Sequence, residues 1–198
     1  MSRPSAPSPS SPPIPPSHVA IAAGETSSIA QGMVAADAMV KQAEVQVLHA
    51  SVLSPGRYWI LIGGEVANVR AAHKRGVEVA ADALLDQLFI PQLHGGVMPA
   101  LSGTVPPSED DALGILETLS AASAIVAADA AAKAADIVLR DLRLANGIGG
   151  KGVVVFSGPL SEVQASVERG RADAQQRGLL ARAVIIPRMV TRLRARLV

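Results

Sequence analysis

The feature that most constrains this chain is that it contains the same passage twice. Ile125-Val126-Ala127-Ala128-Asp129-Ala130-Ala131-Ala132-Lys133 restates Met33-Val34-Ala35-Ala36-Asp37-Ala38-Met39-Val40-Lys41. A repeat of this length decides the architecture before any local pattern is read, because each copy must fold to the same unit. Glu117 follows Glu25 by 92 positions (117 − 25), and Asp129 and Lys133 keep that separation from Asp37 and Lys41. Downstream the register slips by twos: Gly158 follows Gly64 by 94 (158 − 64), and Pro187 follows Pro91 by 96 (187 − 91). Slips of this kind belong in loops, since a length change inside a strand or helix would turn every later side chain off its face.

Each copy reads as strand, helix, strand, strand, helix, strand. In the first copy the segments are Val19–Glu25, Ser28–Ala43, Glu44–Leu53, Arg57–Gly63, Val66–Ala83 and Asp86–Pro91. In the second, Ala112–Glu117 is a short apolar strand and Ser120–Ala135 a helix dominated by alanine, the best helix former, whose small side chains let another backbone come close. A strand follows from Ile137, and its alternation changes parity at Arg140-Asp141, which predicts a bulge. Lys151–Ser157 is the next strand. Ser161-Glu162-Val163-Gln164 has capping-box spacing and predicts a helix start, with Gly178 placed to end it. Val163, Val167, Gly170 and Ala174 mark the packed face of that helix, and Arg182–Pro187 closes the copy. His73 stands where the second copy has Val167, and reads as a core residue rather than a ligand.

The segments outside the copies differ in composition. Residues 1–18 begin with a Ser/Pro tract that lacks the apolar side chains needed to pack; it reads as a disordered tail, a solvated leader rather than a docking segment. Residues 95–111 carry Gly95-Gly96, Pro99, Gly103 and Pro106-Pro107 and read as a linker. In the C-terminal tail 189–198, Arg192 and Arg196 continue the spacing of Arg188 opposite Val190, Leu193 and Leu197. That spacing makes a short basic amphipathic helix if the tail is ordered, read as a solvated or subunit-contacting face. The folded units are therefore residues 19–94 and 112–188.

Composition excludes several function classes. With 49% hydrophobic residues and a net charge of +1, the chain has material for real cores and no bulk attraction to nucleic acid or an anionic membrane. Cysteine is absent, which removes disulfides, thiolate metal sites, thiol catalysis and cysteine-held iron–sulfur clusters. The longest apolar run, Ala121–Ala132, is broken by Asp129 and too short to span a bilayer. The proline-rich N-terminus is unlike a secretory signal, so a cytoplasmic location is expected.

No constellation of catalytic residues emerges. His18, His49, His73 and His94 lack metal-ligand spacing. Glu25 with Glu117 and Asp37 with Asp129 are repeat-related copies and need no chemistry to explain them. Gly147-x-Gly149-x-x-Gly152 has dinucleotide-binding spacing, but that motif works by opening a helix, and here Val153-Val154-Val155-Phe156 follows as a strand. Lys151 is followed by Gly152 rather than Ser or Thr, so a phosphate-binding loop fails as well. One tryptophan and one tyrosine make no platform for stacking bases.

The second copy, with Ala112-Leu-Gly-Ile-Leu-Glu-Thr118, Ala127-Ala-Asp-Ala130, Lys133, Gly147-Ile-Gly-Gly150 and Ile186-Pro-Arg188 in order, resembles the bacterial microcompartment shell domain. The likeness covers nearly all of Val19 to Arg188, twice, in the unpermuted strand-first order. It implies an α/β (α+β) fold of two tandem βαββαβ domains, each a mainly antiparallel four-stranded sheet with helices. It further implies that three chains form a trimer shaped as a pseudohexamer, a structural tile of the shell and not an enzyme. Partners implied are further copies of the chain, other hexagonal and pentagonal shell proteins, and enclosed enzymes, with no nucleic acid and no membrane.

The resemblance also assigns roles to residues. Lys41 and Lys133 match the lysine at the tile edge, and Arg188 the arginine that crosses it; the first copy has Gln92 in the arginine's place, which implies weaker edges there. Ser54, Pro55 and Gly56, with Asn146, Gly147, Ile148, Gly149 and Gly150, match the turns that line the axial pore. Arg57 and Lys151 sit just beyond them and would form a positive collar favouring small anionic metabolites. Some tandem members hold an iron–sulfur cluster in this pore through cysteine; without cysteine this chain cannot, and no cofactor or metal is expected. The alternative from a different class is a trimeric ferredoxin-like regulatory protein in which Asn146–Gly152 grips an anionic ligand.

Overall fold

The computed structural model describes residues 20–103, 105 and 112–190. The Ser/Pro tract, most of the second half of the linker and the arginine-rich residues 191–198 lie outside the described residues. The first copy runs β1 (Ala20–Thr26), α1 (Ile29–Gln42), β2 (Gln46–Leu53), β3 (Arg57–Gly64), α2 (Val66–Ala80) and β4 (Leu84–Ile90). After a short helix α3 (Val97–Leu101), the second runs β5 (Ala112–Thr118), α4 (Ala121–Ala134), β6 (Val138–Leu144), β7 (Gly152–Gly158), α5 (Leu160–Gln176) and β8 (Leu180–Ile186). The two sheets have the same order, β2-β3-β1-β4 and β6-β7-β5-β8, with every pairing antiparallel. Two tandem βαββαβ units in strand-first order are therefore present, as the repeat requires.

The expected bulge is where the parity change put it. Register shifts between Leu139 and Asp141 in β6, and at the matching place between Val47 and His49 in β2. Helices α1 and α4 begin alike, with Ser28 Oγ accepting from Gln31 N at 3.3 Å and Ser120 Oγ accepting from Ser123 N at 3.1 Å. Helix α5 departs from expectation. It begins at Leu160, before the capping-box serine, because the extended backbone of Pro159 makes the transition and its carbonyl accepts from Val163 N at 3.0 Å. Its end is as expected: Gly178 takes φ +69°, Gly178 N donates to Gln175 O and Leu179 N to Ala174 O, the paired bonds of a Schellman motif. Helix α2 is shorter than expected, ending at Ala80 in a 3-10 turn, Ala81–Ala83, which lets β4 start at Leu84 and pair with Thr26.

Close helix packing explains the alanines of α4. A Cβ added to Gly170 of α5 would lie 2.9 Å from the Ala127 carbonyl oxygen and 3.1 Å from the Ala131 Cβ. The linker is not structureless: α3 buries Val97 and Ala100 in the same cluster as Leu139 of β6. His73 stacks on Phe89 with ring centroids 6.2 Å apart, and burial holds its pKa below the usual histidine value. Its Nε2 is buried without a hydrogen-bond partner among the described residues, so it is a core residue but an incompletely satisfied one.

The two domains share one core. Ile21, Ala23, Leu88 and Ile90 of the first sheet cluster with Ile125, Ala128 and Ala132 of α4 in the second domain. The opposite face of the first sheet, Ala20, Ala22, Ile60 and Ile62, packs with Ala36, Met39, Val69 and Ala72 of its own helices. The alternation of β1 thus assigns odd-numbered residues to the neighbouring domain and even-numbered ones to their own.

Candidate functional site

Where α4 meets the first sheet, two carboxylates that sequence reading dismissed as repeat copies or passed over hold the joint together. Glu25 is fully buried; Arg57 Nη1 donates to its Oε1 at 2.6 Å and Ala121 N to its Oε2 at 2.8 Å. Burial pushes the Glu25 carboxyl above its ordinary value, opposed by Arg57 and the Ala121 amide. Asp86, next to Glu25 across the β1–β4 ladder, accepts from Ser123 Oγ at 2.9 Å and from Ser120 Oγ and the Arg177 guanidinium. Both carboxylates sit at the start of α4, where free amides and the helix dipole favour negative charge. The signal available in sequence was a glutamate inside an apolar strand; only the neighbouring domain explains it.

The two turns assigned to a pore lie side by side. A Cβ on Gly150 would be 3.0 Å from Pro55 Cδ and 3.2 Å from Ser54 O, and Arg57 Nη1 reaches both Gly150 O (3.5 Å) and Leu119 O (3.3 Å). Ser54, Pro55, Gly56, Asn146, Gly147 and Gly149 are exposed, while Ile148 is half-buried and Gly150 is covered by the other turn. Gly56, Gly147, Gly149 and Gly150 all take positive φ, which is what glycine supplies at these positions. Lys151 Nζ pairs with Glu117 Oε1 at 2.7 Å, as Arg57 pairs with Glu25. Both cations of the expected collar therefore have a carboxylate against them.

The Asn146–Gly152 loop does not present an open anion cradle. Ile148 N and Gly150 N donate to Ala145 O, and Lys151 N donates to Ile148 O, so these amides are used within the turn. Strand β7 follows at once, and no helix begins there. Among the described residues no group of His, Asp and Glu could hold a metal ion.

The expected edge residues fall in unlike settings. Lys133 Nζ pairs with Asp129 Oδ2 at 2.6 Å and also donates to Gln92 O, while Asp129 Oδ1 accepts from His94 N at 2.8 Å. Lys41 makes the matching pair with Asp37 at 2.6 Å but is well exposed, and Arg188 is exposed. The structure thus brings Lys133 against the chain leaving β4 and leaves Lys41 without the corresponding neighbour.

The BMC domain family profile matches residues 20–93 and again 112–189. The chain belongs to the BMC domain family. It is 41% identical over 164 residues to the bacterial microcompartment shell protein PduT of Citrobacter freundii, across 83% of this chain and 89% of that one. It is 28% identical over 174 residues to the carboxysome assembly protein CcmO of Synechocystis sp. (strain ATCC 27184 / PCC 6803 / Kazusa), covering 78% of this chain and 56% of that one. Among solved structures, a microcompartment protein of Desulfitobacterium hafniense DCB superposes with a TM-score of 0.79 at 42% identity, across 90% of this chain and 99% of its own. A fused permuted hexameric shell protein of the RMM microcompartment shares the fold at a TM-score of 0.61 and 24% identity, over 80% of this chain and 84% of its own.

This BMC protein is a tandem-domain, structural component of a bacterial microcompartment shell and not an enzyme, and its partners are other shell proteins. No described helix is long and apolar enough to cross a membrane.

Proposed function

We propose that three copies of the chain close into a pseudohexameric tile around a central pore lined by Ser54–Arg57 and Asn146–Lys151. One observation carries the reading: repeat-matched positions are buried in one copy and exposed in the other. Ile125 and Leu88 are 1% and 3% exposed at the in-chain joint, while their counterparts Met33 and Val184 are 52% and 40% exposed. The chain therefore carries half of the same joint at each end, α1 on one side and β8 on the other. A face of this kind that is not self-complementary builds head-to-tail rings or filaments, and a ring of three covers every such face.

The paired turns support the pore. Glu25 and Glu117 offset Arg57 and Lys151, so small polar metabolites fit this opening better than the small anions expected from a bare collar. Lys41, Lys133 and Arg188 are proposed at the edges where tiles meet, and enzymes enclosed by the shell are partners through their position behind it. Native mass spectrometry should give three times the 20.3 kDa chain mass, and negative-stain images of concentrated protein should show sheets or shells. A chain that stays monomeric at micromolar concentration would overturn the ring.

A further inference from the structure

The matched joints are alike in shape and opposite in charge. In the in-chain joint the acidic member is Asp86 of β4 and the basic member is Arg177, at the turn that ends α5. The ladders make Arg182 the counterpart of Asp86: Glu25 faces Asp86 across β1–β4, and Glu117 faces Arg182 across β5–β8. The turns correspond as well, since Ser27 N donates to Ala83 O and Leu119 N to Leu179 O, both at 2.8 Å. Close to the place of Arg177 the first-copy turn, Ala81–Ala83, carries Asp82, one position nearer β4 than the strict match to Arg177. At the open ends of the chain, then, β8 offers a cation and the α2–β4 turn an anion. Arg182 and Asp82 are both exposed, and among the described residues neither side chain has an ion pair or hydrogen bond.

We infer that Arg182 of one chain pairs with Asp82 of the next, a charge key that closes the open joint with the polarity of the in-chain pair Asp86–Arg177 reversed. The inference rests on the ring proposed above and adds the ion pair that joins its open faces. Opposite charges brought together in a partly desolvated joint attract, so the open joint gains from this pair as the in-chain joint does from Asp86 and Arg177. Around it the remaining matches follow: Glu117 stands ready for the Ile29 amide as Glu25 takes that of Ala121, and Gln31 occupies the place of Ser123.

Full-length chains carrying Arg182→Glu, Asp82→Arg, or both, test the key by native mass spectrometry and a sedimentation dilution series. Each single change should raise the concentration at which half of the trimer dissociates by about tenfold or more, and the double change should restore it to within about threefold of the parent. Circular dichroism should be unchanged throughout, because both side chains are exposed in the single chain. Singles without effect, or a double variant no better than the worse single, overturn the key while leaving the ring standing. A monomeric parent chain would overturn both.

Discussion

Truncating Met33 to alanine separates the ring from a monomer with a greasy helix. Met33 is exposed in the single chain, so Met33→Ala leaves the folded chain nearly untouched, whereas its counterpart Ile125 is buried at the in-chain joint. Burying a methionine side chain fully is worth about 1.5–3 kcal/mol; with half of that surface already covered, the open joint gains about 1 kcal/mol from it. Three joints per ring make the loss about 3 kcal/mol, which at about 1.4 kcal/mol per tenfold is a roughly 140-fold weaker trimer. Because three chains dissociate together, the half-dissociation concentration rises as the square root, about 12-fold. A sedimentation dilution series reads this directly. Val66→Ala is the matched control, since Val66 and its counterpart Leu160 are 36% and 42% exposed and neither belongs to a joint. Equal effects of the two substitutions would refute the reasoning, because surface apolarity and not joint geometry would then set the assembly.

Gly170→Ala should destabilise the chain by about 1–3 kcal/mol in urea denaturation, since the new methyl meets the Ala127 carbonyl and Leu116 in a well-packed contact; a neutral result would mean that α4 and α5 are not so close. Gly24→Ala, with nothing within 4 Å of the added Cβ, should instead stabilise by about 0.5 kcal/mol. Glu25 has a folded pKa raised above 4.5, so the folded chain holds its proton more tightly than the unfolded one and this group's share of stability falls as pH rises above 4.5. Glu25→Gln should remove that part of the pH dependence of Tm, and an unaltered profile would show that another group causes it. Replacing Lys41 and Lys133 together by alanine should leave trimers intact and reduce sheets in negative-stain images; undiminished sheets would move the edge elsewhere.

The repeat made most of the fold legible, because each local pattern could be checked against its copy. The parity change at Arg140-Asp141 found a bulge that β2 shares, and Gly178 found a helix end. The start of α5 was misplaced because a capping-box spacing at Ser161 competes with Pro159, whose own backbone geometry turns the chain two residues earlier. The buried carboxylates were illegible for a different reason. What distinguishes Glu25 from Glu117 is the domain standing beside it, and a comparison of copies cancels the information that differs between them. The collar of Arg57 and Lys151 was read from sequence position alone, while the glutamates that offset it lie across the ladder, in the first strand of each copy.

On the proposed ring, the differences between the copies follow from when each joint forms. The in-chain joint is made during folding, with the second domain tethered at high effective concentration, so its face can carry Leu88 and the buried carboxylates Glu25 and Asp86, which would be costly in an unpaired state. The open face must survive in water until another chain arrives. It accordingly has the smaller Val184 in place of Leu88 and the permanently charged Arg182 in place of Asp86. A chain of two identical copies would have to use one face for both circumstances. Its exposed end would be as apolar as its buried one. In that ring, divergence of the copies fits one joint for burial during folding and the other for exposure before assembly, and the positions along β4 and β8 where the sequence repeat fails carry that difference.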